Sequence, residues 1–368
     1  MKKFFIIAGS FFIFILIIIF ITVKITLQGP EFGGNPLKER GDILRNSSNF
    51  RDNHFHNTVK KRDYNFWVNI KDMMGDQKRI PPAPFPLVKP KFSKAIPSGL
   101  RAVWFGHASV LVEIDGYRIF FDPMLSDAAF PVKAVAPKRM NPSPLKLEEL
   151  PKIDAVIITH DHFDHLDMKT VQYLNKHGAH FYVGLGVGAH LEKWKIKPNK
   201  INELDWGDSI NFKDLTINCT EARHYSGRKS VSNDSLWTSW VVKGPKHSVF
   251  HSGDSGYSPH FTKIGKRFPG IDLSLIKVGD YGIDLGWQDI HMIPENSVKS
   301  HKDIGAKVML PIHWGVFQLS YHAWDEPIER TLASAKKNNI KIVTPKIGET
   351  FNYGKPIKNK LWWRSLEN

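Results

Sequence analysis

"VIITHDHFDHLD", Val156–Asp167, places three histidines and three aspartates in twelve residues, at the end of the apolar run that begins with "IDA". A segment apolar at nearly every position reads as a strand covered on both faces. Imidazoles and carboxylates crowded where such a strand stops read as a site at its carboxyl end, where α/β folds place their ligands. Within the cluster, His160, His162, Asp164 and His165 spell H-x-H-x-D-H. Residues two apart in an extended segment point the same way, so His160 and His162 can grip one ion. Asp164 and His165, where the chain turns towards the next helix, can face a neighbouring position. Four ligands are too few for two metals, so this reading demands more from elsewhere.

Three later strand ends offer them. "TEARHYSGR" carries His224, "FHSGDSG" carries Asp254 among glycines that allow close backbone approach, and "LPIHWG" carries His313. Each alone reads as readily as a hydrogen-bonded structural residue. Together they occupy one topological place, the carboxyl ends of strands.

Further strands are expected around them. "SVLVEI" and "YRIFF" flank Asp115-Gly116, a strong hairpin signal. "HFYVGLG", "LTINCTEARH", "SWVVKG" with "SVFHSG", "DLSLIKVG" and "KVMLPIHW" follow, with helices expected over 167–177, 259–268, 294–304 and 326–338. Strands first in hairpins, then alternating with helices, indicate a mixed α/β sandwich of sheets covered by helices.

The remainder of the chain sets the context. Of its 368 residues 42% are apolar, enough for a packed core, and Cys219 is its one cysteine, which excludes a disulfide framework and a cysteine-rich zinc site. Lys2 and Lys3 precede twenty uncharged residues, Phe4–Val23, long enough as a helix to cross a bilayer. No cleavage site follows, so residues 1–24 read as an uncleaved anchor, with a signal peptide as the alternative. The positive-inside rule then puts the body on the extracytoplasmic, periplasmic side. Residues 25–95 read as a polar tether or irregular wrap closed by the proline-rich "RIPPAPFPLVKPKF", and 356–368 as a basic, aromatic tail. The formal charge of +15 comes without an arginine-rich helix, zinc finger or RNA-binding aromatic signature. No nucleic acid partner is expected; the basic surface reads either as a plain solvated face or as one suited to phospholipid headgroups. Nothing in the sequence specifies an oligomeric state.

"GHASVLVEIDG", "FDPMLSDAAFP", "LPKIDAVIITHDHFDHLD", "HYSGR", "HSGDSGYSPHFTKIGKRFPGIDLSLIKVG", "HMIPENSVKSH" and "IHWGVF" follow one another in order. In this the chain resembles the metallo-β-lactamase superfamily, and within it the N-acylphosphatidylethanolamine-hydrolysing phospholipase D enzymes and their bacterial relatives, over roughly Leu100 to Thr350. The resemblance implies a four-layer αββα sandwich and makes 96–355 the hydrolase domain. It implies that His160, His162 and His224 hold one metal and Asp164, His165 and His313 another, with Asp254 bridging both. The family points to two Zn²⁺; His and Asp ligands without cysteine would also accept iron or manganese.

Two such ions lower the pKa of a bridging water, and hydroxide formed there would attack phosphorus and expel an alcohol. The resemblance thus implies cleavage of a membrane phospholipid into phosphatidate and an N-acylethanolamine. It makes His291 a substrate-contacting, catalytic residue, against a plain role at the entrance of the helix at Pro294. His107 and Asp122, at strand ends, read equally as residues that orient ligand histidines and as ordinary turn residues. Phe163 stands where the mammalian-type enzyme has a substrate-binding tyrosine, so the ring remains and the hydroxyl donor is lost. Trp104, Phe105, Tyr257, Tyr281, Trp287, Trp314 and Phe317 are candidates for an acyl groove, with core packing the default. The competing readings are a lactonase or other ring-opening hydrolase on the same site, and a non-catalytic envelope protein.

Overall fold

The computed structural model describes residues 24–75, 77–93, 98–132, 135–229, 231–356 and 359–366. Its motif strand, Ala155–Ile158, is buried at every position. Ala155 and Ile157 join one apolar core while Val156 and Ile158 join a second, so both faces of its sheet are covered.

In chain order, a short hairpin of β1 (Phe50–Arg51) and β2 (His54–Phe55) precedes β3 (Leu100–Trp104), β4 (Val110–Ile114), β5 (Tyr117–Phe121), the motif strand β6, β7 (His180–Gly184) and β8 (Ile201–Leu204). Then come β9 (Ser209–Phe212), β10 (Leu215–Glu221), β11 (Thr238–Lys243), β12 (Ser248–His251), β13 (Leu273–Lys277), β14 (Val308–Ile312) and β15 (Thr350–Asn352). They form a seven-stranded sheet in the order β15-β3-β4-β5-β6-β7-β8 and a six-stranded sheet in the order β14-β13-β12-β11-β10-β9. The expected hairpin is the β4–β5 pair, with Asp115 and Gly116 both at positive φ, as a two-residue primed turn requires.

The helices are α1 (Pro36–Arg45), α2 (Phe66–Met73), α3 (Met168–Lys176), α4 (Gly188–Lys193), α5 (His260–Arg267), α6 (Leu285–Gln288), α7 (Pro294–Ile304) and α8 (Glu326–Lys337). α3 and α4 bury Val171, Leu174 and Leu191 against the outer face of the first sheet. The inner faces of both sheets share the larger core with Phe261 of α5, Val298 of α7 and Ile328 of α8. The chain is therefore a mixed α/β fold of two sheets with helices outside them.

Strand direction decides where the site lies. β5 and β6 are parallel, and β3 runs with them because two antiparallel pairings intervene. β12, β13 and β14 are parallel, and β10 runs with them for the same reason. The carboxyl ends of β3, β5 and β6 thus share an edge of one sheet, and those of β10, β12, β13 and β14 an edge of the other. The loops that leave these ends carry every expected site residue except His291, which lies beyond α6.

The anchor expected over 1–24 falls, except for Lys24, outside the described residues, and among those no helix is long and apolar enough to cross a membrane. Residues 25–93 are not a free tether: Arg40 of α1 pairs with Glu192 and Glu203 at 2.6 Å each, and Phe55 is fully buried against Leu236 and Trp237. The terminal tail is aromatic for a structural reason. Trp362 and Trp363 are buried, and Trp362 stacks on Trp314, which stacks in turn on Trp104.

Candidate metal centre

Seven side chains from distant parts of the chain converge at the shared strand edges. His160 Nε2 lies 2.9 Å from His162 Nδ1, and His224 Nε2 lies 3.3 Å from that same nitrogen. On the other side, His165 Nε2 and His313 Nε2 are 3.2 Å apart, and Asp164 Oδ2 is 3.3 Å from His165 Nε2. Asp254 lies between the two groups. Its Oδ1 is 2.9 Å from His313 Nε2 and 3.5 Å from His165 Nε2, while its Oδ2 is 3.9 Å from His224 Nε2. One carboxylate thus turns one oxygen to each group.

The donor atoms fit a cation better than they fit each other. Two nitrogens each ~2.0 Å from a tetrahedral ion stand about 3.3 Å apart, close to the separations seen here. Asp254 Oδ1 is buried without a hydrogen bond although His313 is near, because the pair is not aligned for one. A buried carboxylate oxygen left so costs roughly 1–3 kcal/mol or more unless something else satisfies it.

The rings are held from behind. Asp122 Oδ2 lies 2.7 Å from His165 Nδ1, and the same carboxylate accepts from the Thr159 amide and hydroxyl, both at 2.7 Å. Asp280 Oδ2 is 2.9 Å from His313 Nδ1, an ion-pair contact not aligned as a hydrogen bond, and the Ile290 carbonyl is 3.1 Å from His224 Nδ1. Each contact favours a proton on Nδ1 and leaves Nε2 facing the centre. His107 Nε2 meets Asp164 Oδ2 at 2.9 Å, while its carbonyl accepts from Trp104 Nε1 and from the His313 amide. His107, Asp122, Asp280 and His313 all have φ between 40° and 65°, a region that costs a non-glycine residue about 1 kcal/mol or more. Gly279 permits this crowding, since a Cβ there would lie 2.1 Å from the His313 carbonyl oxygen.

Electrostatics follow from burial. Burial, then the neighbouring histidines, hold His160 well below the usual imidazole range. Burial would raise Asp254, but His313 and His165 beside it outweigh that and hold its carboxyl well below the usual range. For His165 burial is overcome by Asp164, Asp254 and Asp122, which raise it.

His291 stands at the edge of the group, its Nδ1 3.7 Å from Asp254 Oδ2. The N-cap residue of α7 is Ile293, so His291 lies two positions ahead of it. Burial and then Lys277 depress its pKa well below normal, so it is neutral near pH 7. Phe163 packs edge-on against Phe32 and Phe130, with the Arg228 guanidinium 3.9 Å from its ring centre.

Above the cluster lies a cavity of about 630 Å³ lined by residues that include Asp164, Asp254 and His291. Of the aromatic groove candidates only Trp287 reaches it. Trp104, Phe105, Tyr281, Trp314 and Phe317 are core residues, and Tyr257 is tied to Asp303 by its hydroxyl. The lining comes instead from Tyr64, Phe130, Tyr225 and Leu319, with Lys61, Arg228 and Lys229 as cations. Arg228 closes "HYSGR" and clamps the motif loop, donating to the Asp161 and Leu166 carbonyls at 2.7 and 3.0 Å. Asp161 ties the two loops from its side too, accepting from Gly227 N and Ser235 Oγ.

Sequence reasoning missed Asn57, Asp280, Lys61 and Tyr64. Asp280 directly follows a quoted strand end, which was a usable signal. The wrap residues had none, because their partners lie more than 160 positions away: Asn57 donates to the His224 carbonyl at 2.8 Å and accepts from its amide at 3.0 Å.

Such a fold, with this His and Asp set at its strand ends, defines a metal-dependent hydrolase of the metallo-β-lactamase superfamily. The chain belongs to that superfamily: the model described as the beta-lactamase superfamily domain matches residues 117–314. An uncharacterized protein of Mycobacterium tuberculosis is 43% identical over 288 residues, 77% of each chain. N-acyl-phosphatidylethanolamine-hydrolyzing phospholipase D 1 of Caenorhabditis elegans is 36% identical over 238 residues, 60% of this chain and 65% of that one. Among solved structures, a metallo hydrolase of Ignicoccus hospitalis shares the fold, with a TM-score of 0.55 and 23% identity over 70% of this chain and 99% of its own.

Proposed function

We propose that the chain hydrolyses a phosphodiester of a membrane phospholipid, N-acylphosphatidylethanolamine or a close relative, as a phospholipase D does. One observation carries this reading: Asp254 turns an oxygen to each of two donor sets beneath a cavity whose walls combine cations with aromatic rings. The anions of a phosphodiester suit the cations, and acyl chains suit the rings. The 36% identity to the nematode enzyme supports the same substrate class.

His160, His162 and His224 would hold one divalent ion and Asp164, His165 and His313 a second, with Asp254 shared; a set without cysteine suits zinc. Bound there, the two ions would supply Lewis acidity and a water acidic enough to react near neutral pH. The protein's own groups do the rest. Asp122, Asp280 and the Ile290 carbonyl keep ring protons on the far nitrogens. Lys61, Arg228 and Lys229 offset the phosphate charge as it builds. His291, a neutral imidazole, can donate one N–H to a phosphoryl or leaving oxygen. Water oxygen adds to phosphorus, the bond to the N-acylethanolamine oxygen breaks, the alcohol departs with a proton, and phosphatidate remains. Residues 4–23 would hold this machinery at a bilayer, with the body on the extracytoplasmic side.

The test is the full chain in detergent, loaded with zinc and given mixed N-acylphosphatidylethanolamine micelles, with products read by mass spectrometry. Phosphatidate release, abolished by Asp254→Ala, is expected. Turnover of a lactone without any phosphodiester would put the ring-opening hydrolase in its place. An active preparation holding well under two metal ions per chain would remove the paired-ion chemistry.

A further inference from the structure

Beside the cavity mouth the chain exposes apolar side chains that the hydrolytic chemistry does not use. Every residue from Thr58 to Trp67 is exposed. α2, which follows, is built inside out. Its buried residues are Asn69 and Asp72, while Phe66, Trp67 and Met73 face outward at 59, 76 and 44% exposure and Met74 follows at 77%. A helix of a water-soluble surface normally buries the opposite set. Its polar residues serve as anchors: Asp72 accepts from the Ile283 amide, and Asn69 donates to the Asn65 carbonyl.

The same loop pair exposes more. Asp284 accepts from the Asn65 and Trp287 amides, locking α6 beside the start of α2, and Ile283 and Leu285 on either side of it are half exposed. Tyr64 packs on Trp287, and both line the cavity. An apolar lip thus rims the mouth, contributed by two segments more than 200 residues apart.

Charge says what covers it. Lys60, Lys61, Lys71 and Lys78 are exposed along this stretch, whereas Asp63 is the only exposed acid among its described residues. Aromatic rings flanked by lysines suit the boundary of an anionic bilayer. The course of the chain points the same way. Twenty uncharged residues run up to Val23, and the chain reaches the cavity wall by Phe32, which packs on Phe163 and Phe130.

We infer that this lip is a bilayer-docking surface that seats α2 and α6 among anionic phospholipid headgroups, so that the cavity opens onto lipid. The inference rests on the lipid-substrate reading above for its purpose. Its test does not, because it reads depth in the bilayer and not hydrolysis. Cys219 is fully buried, so an added cysteine can be labelled selectively. The full chain carrying Trp67→Cys and a fluorophore is reconstituted into vesicles of phosphatidylglycerol and phosphatidylcholine with brominated acyl chains. Leu285→Cys probes the lip from its other segment should the first variant fold poorly. Lys246→Cys, in the β11–β12 turn at the opposite strand edge, is the control.

Labels at 67 and 285 should be quenched by the brominated lipid, less so in pure phosphatidylcholine, and the label at 246 should not. Equal quenching at all three sites would overturn the inference. So would quenching between labelled copies without vesicles, since a second copy of the chain would then cover the lip. Quenching at 67 and 285 without phosphatidate release would keep the surface and remove the proposed reaction.

Discussion

Replacing Asn57 by alanine tests whether the wrap is part of the metal centre. The amide of Asn57 pairs with His224 almost as a neighbouring strand would, donating to its carbonyl at 2.8 Å and accepting from its N–H at 3.0 Å. It also accepts from Trp237 Nε1 at 3.0 Å, but that donor keeps the Ala222 carbonyl at 3.1 Å. The real loss is therefore two partners of the fully buried His224. Each hydrogen bond contributes about 1 kcal/mol net, and a buried group left unpaired costs about 1–3 kcal/mol. Asn57 is only partly buried, so water can enter its place, and the lower end applies: roughly 2–3 kcal/mol in all. Asn57→Asp, which keeps the acceptor and loses the donor, should fall between. Chemical denaturation of the full chain in detergent gives the first number. Zinc competition with a chelator gives the second, with affinity expected to drop about 10–100-fold because a ligand's backbone has lost its support. Stability within 0.5 kcal/mol of the parent, with zinc affinity unchanged, would refute the reasoning.

Other expectations follow from the same contacts. Asp122→Asn and Asp280→Asn each remove the group behind one ligand histidine, and each should weaken zinc binding about 10–100-fold by calorimetry while the chain stays folded. Burial pushes Asp234 up to about 7, so its folded pKa lies above its unfolded value near 3.8. The contribution of Asp234 to stability should then be complete below about pH 4 and decline as pH rises towards 7; Asp234→Asn should flatten that decline, as read by denaturation at several pH values. His301, pushed down to about 4 by burial in α7, has the opposite sign: stability is present above about 6.5 and lost as pH falls through 4. His301→Gln should reduce that acid-side loss. His291→Ala should lower kcat on the micellar phosphodiester about 100-fold or more with metal content unchanged; loss of metal instead would make it a ligand.

The amino-acid order alone determined a good deal. A short run apolar at nearly every position and rich in β-branched residues favours a strand covered on both faces, so "IDAVIIT" announced its place in the sequence itself. The Asp115-Gly116 turn, the four main helices and the H-x-H-x-D-H cluster are likewise local facts, set by period, turn chemistry and spacing. His224, Asp254 and His313 were legible because each ends an apolar run, and strand ends are where backbone direction alone brings side chains together. Tertiary structure decided the rest. Only the folded chain set Asp280 behind His313, at the ends of the neighbouring parallel strands β13 and β14, folded Asn57 against His224 from 167 positions away, and drew Trp104, Trp314 and Phe317 inward to pack instead of lining the cavity. Composition cannot distinguish a tether from a wrap, since polar residues solvate equally well in either. The difference lies in specific hydrogen bonds and in buried side chains such as Phe32, Phe55 and Phe85; Leu236 and Trp237, which cover Phe55, come nearly two hundred residues later. The outward face of α2 is the sharpest case. Its sequence would orient its apolar side inward on a water-soluble body, and the bonds of Asp72 to the Ile283 amide and of Asp284 to the Asn65 amide hold it turned out.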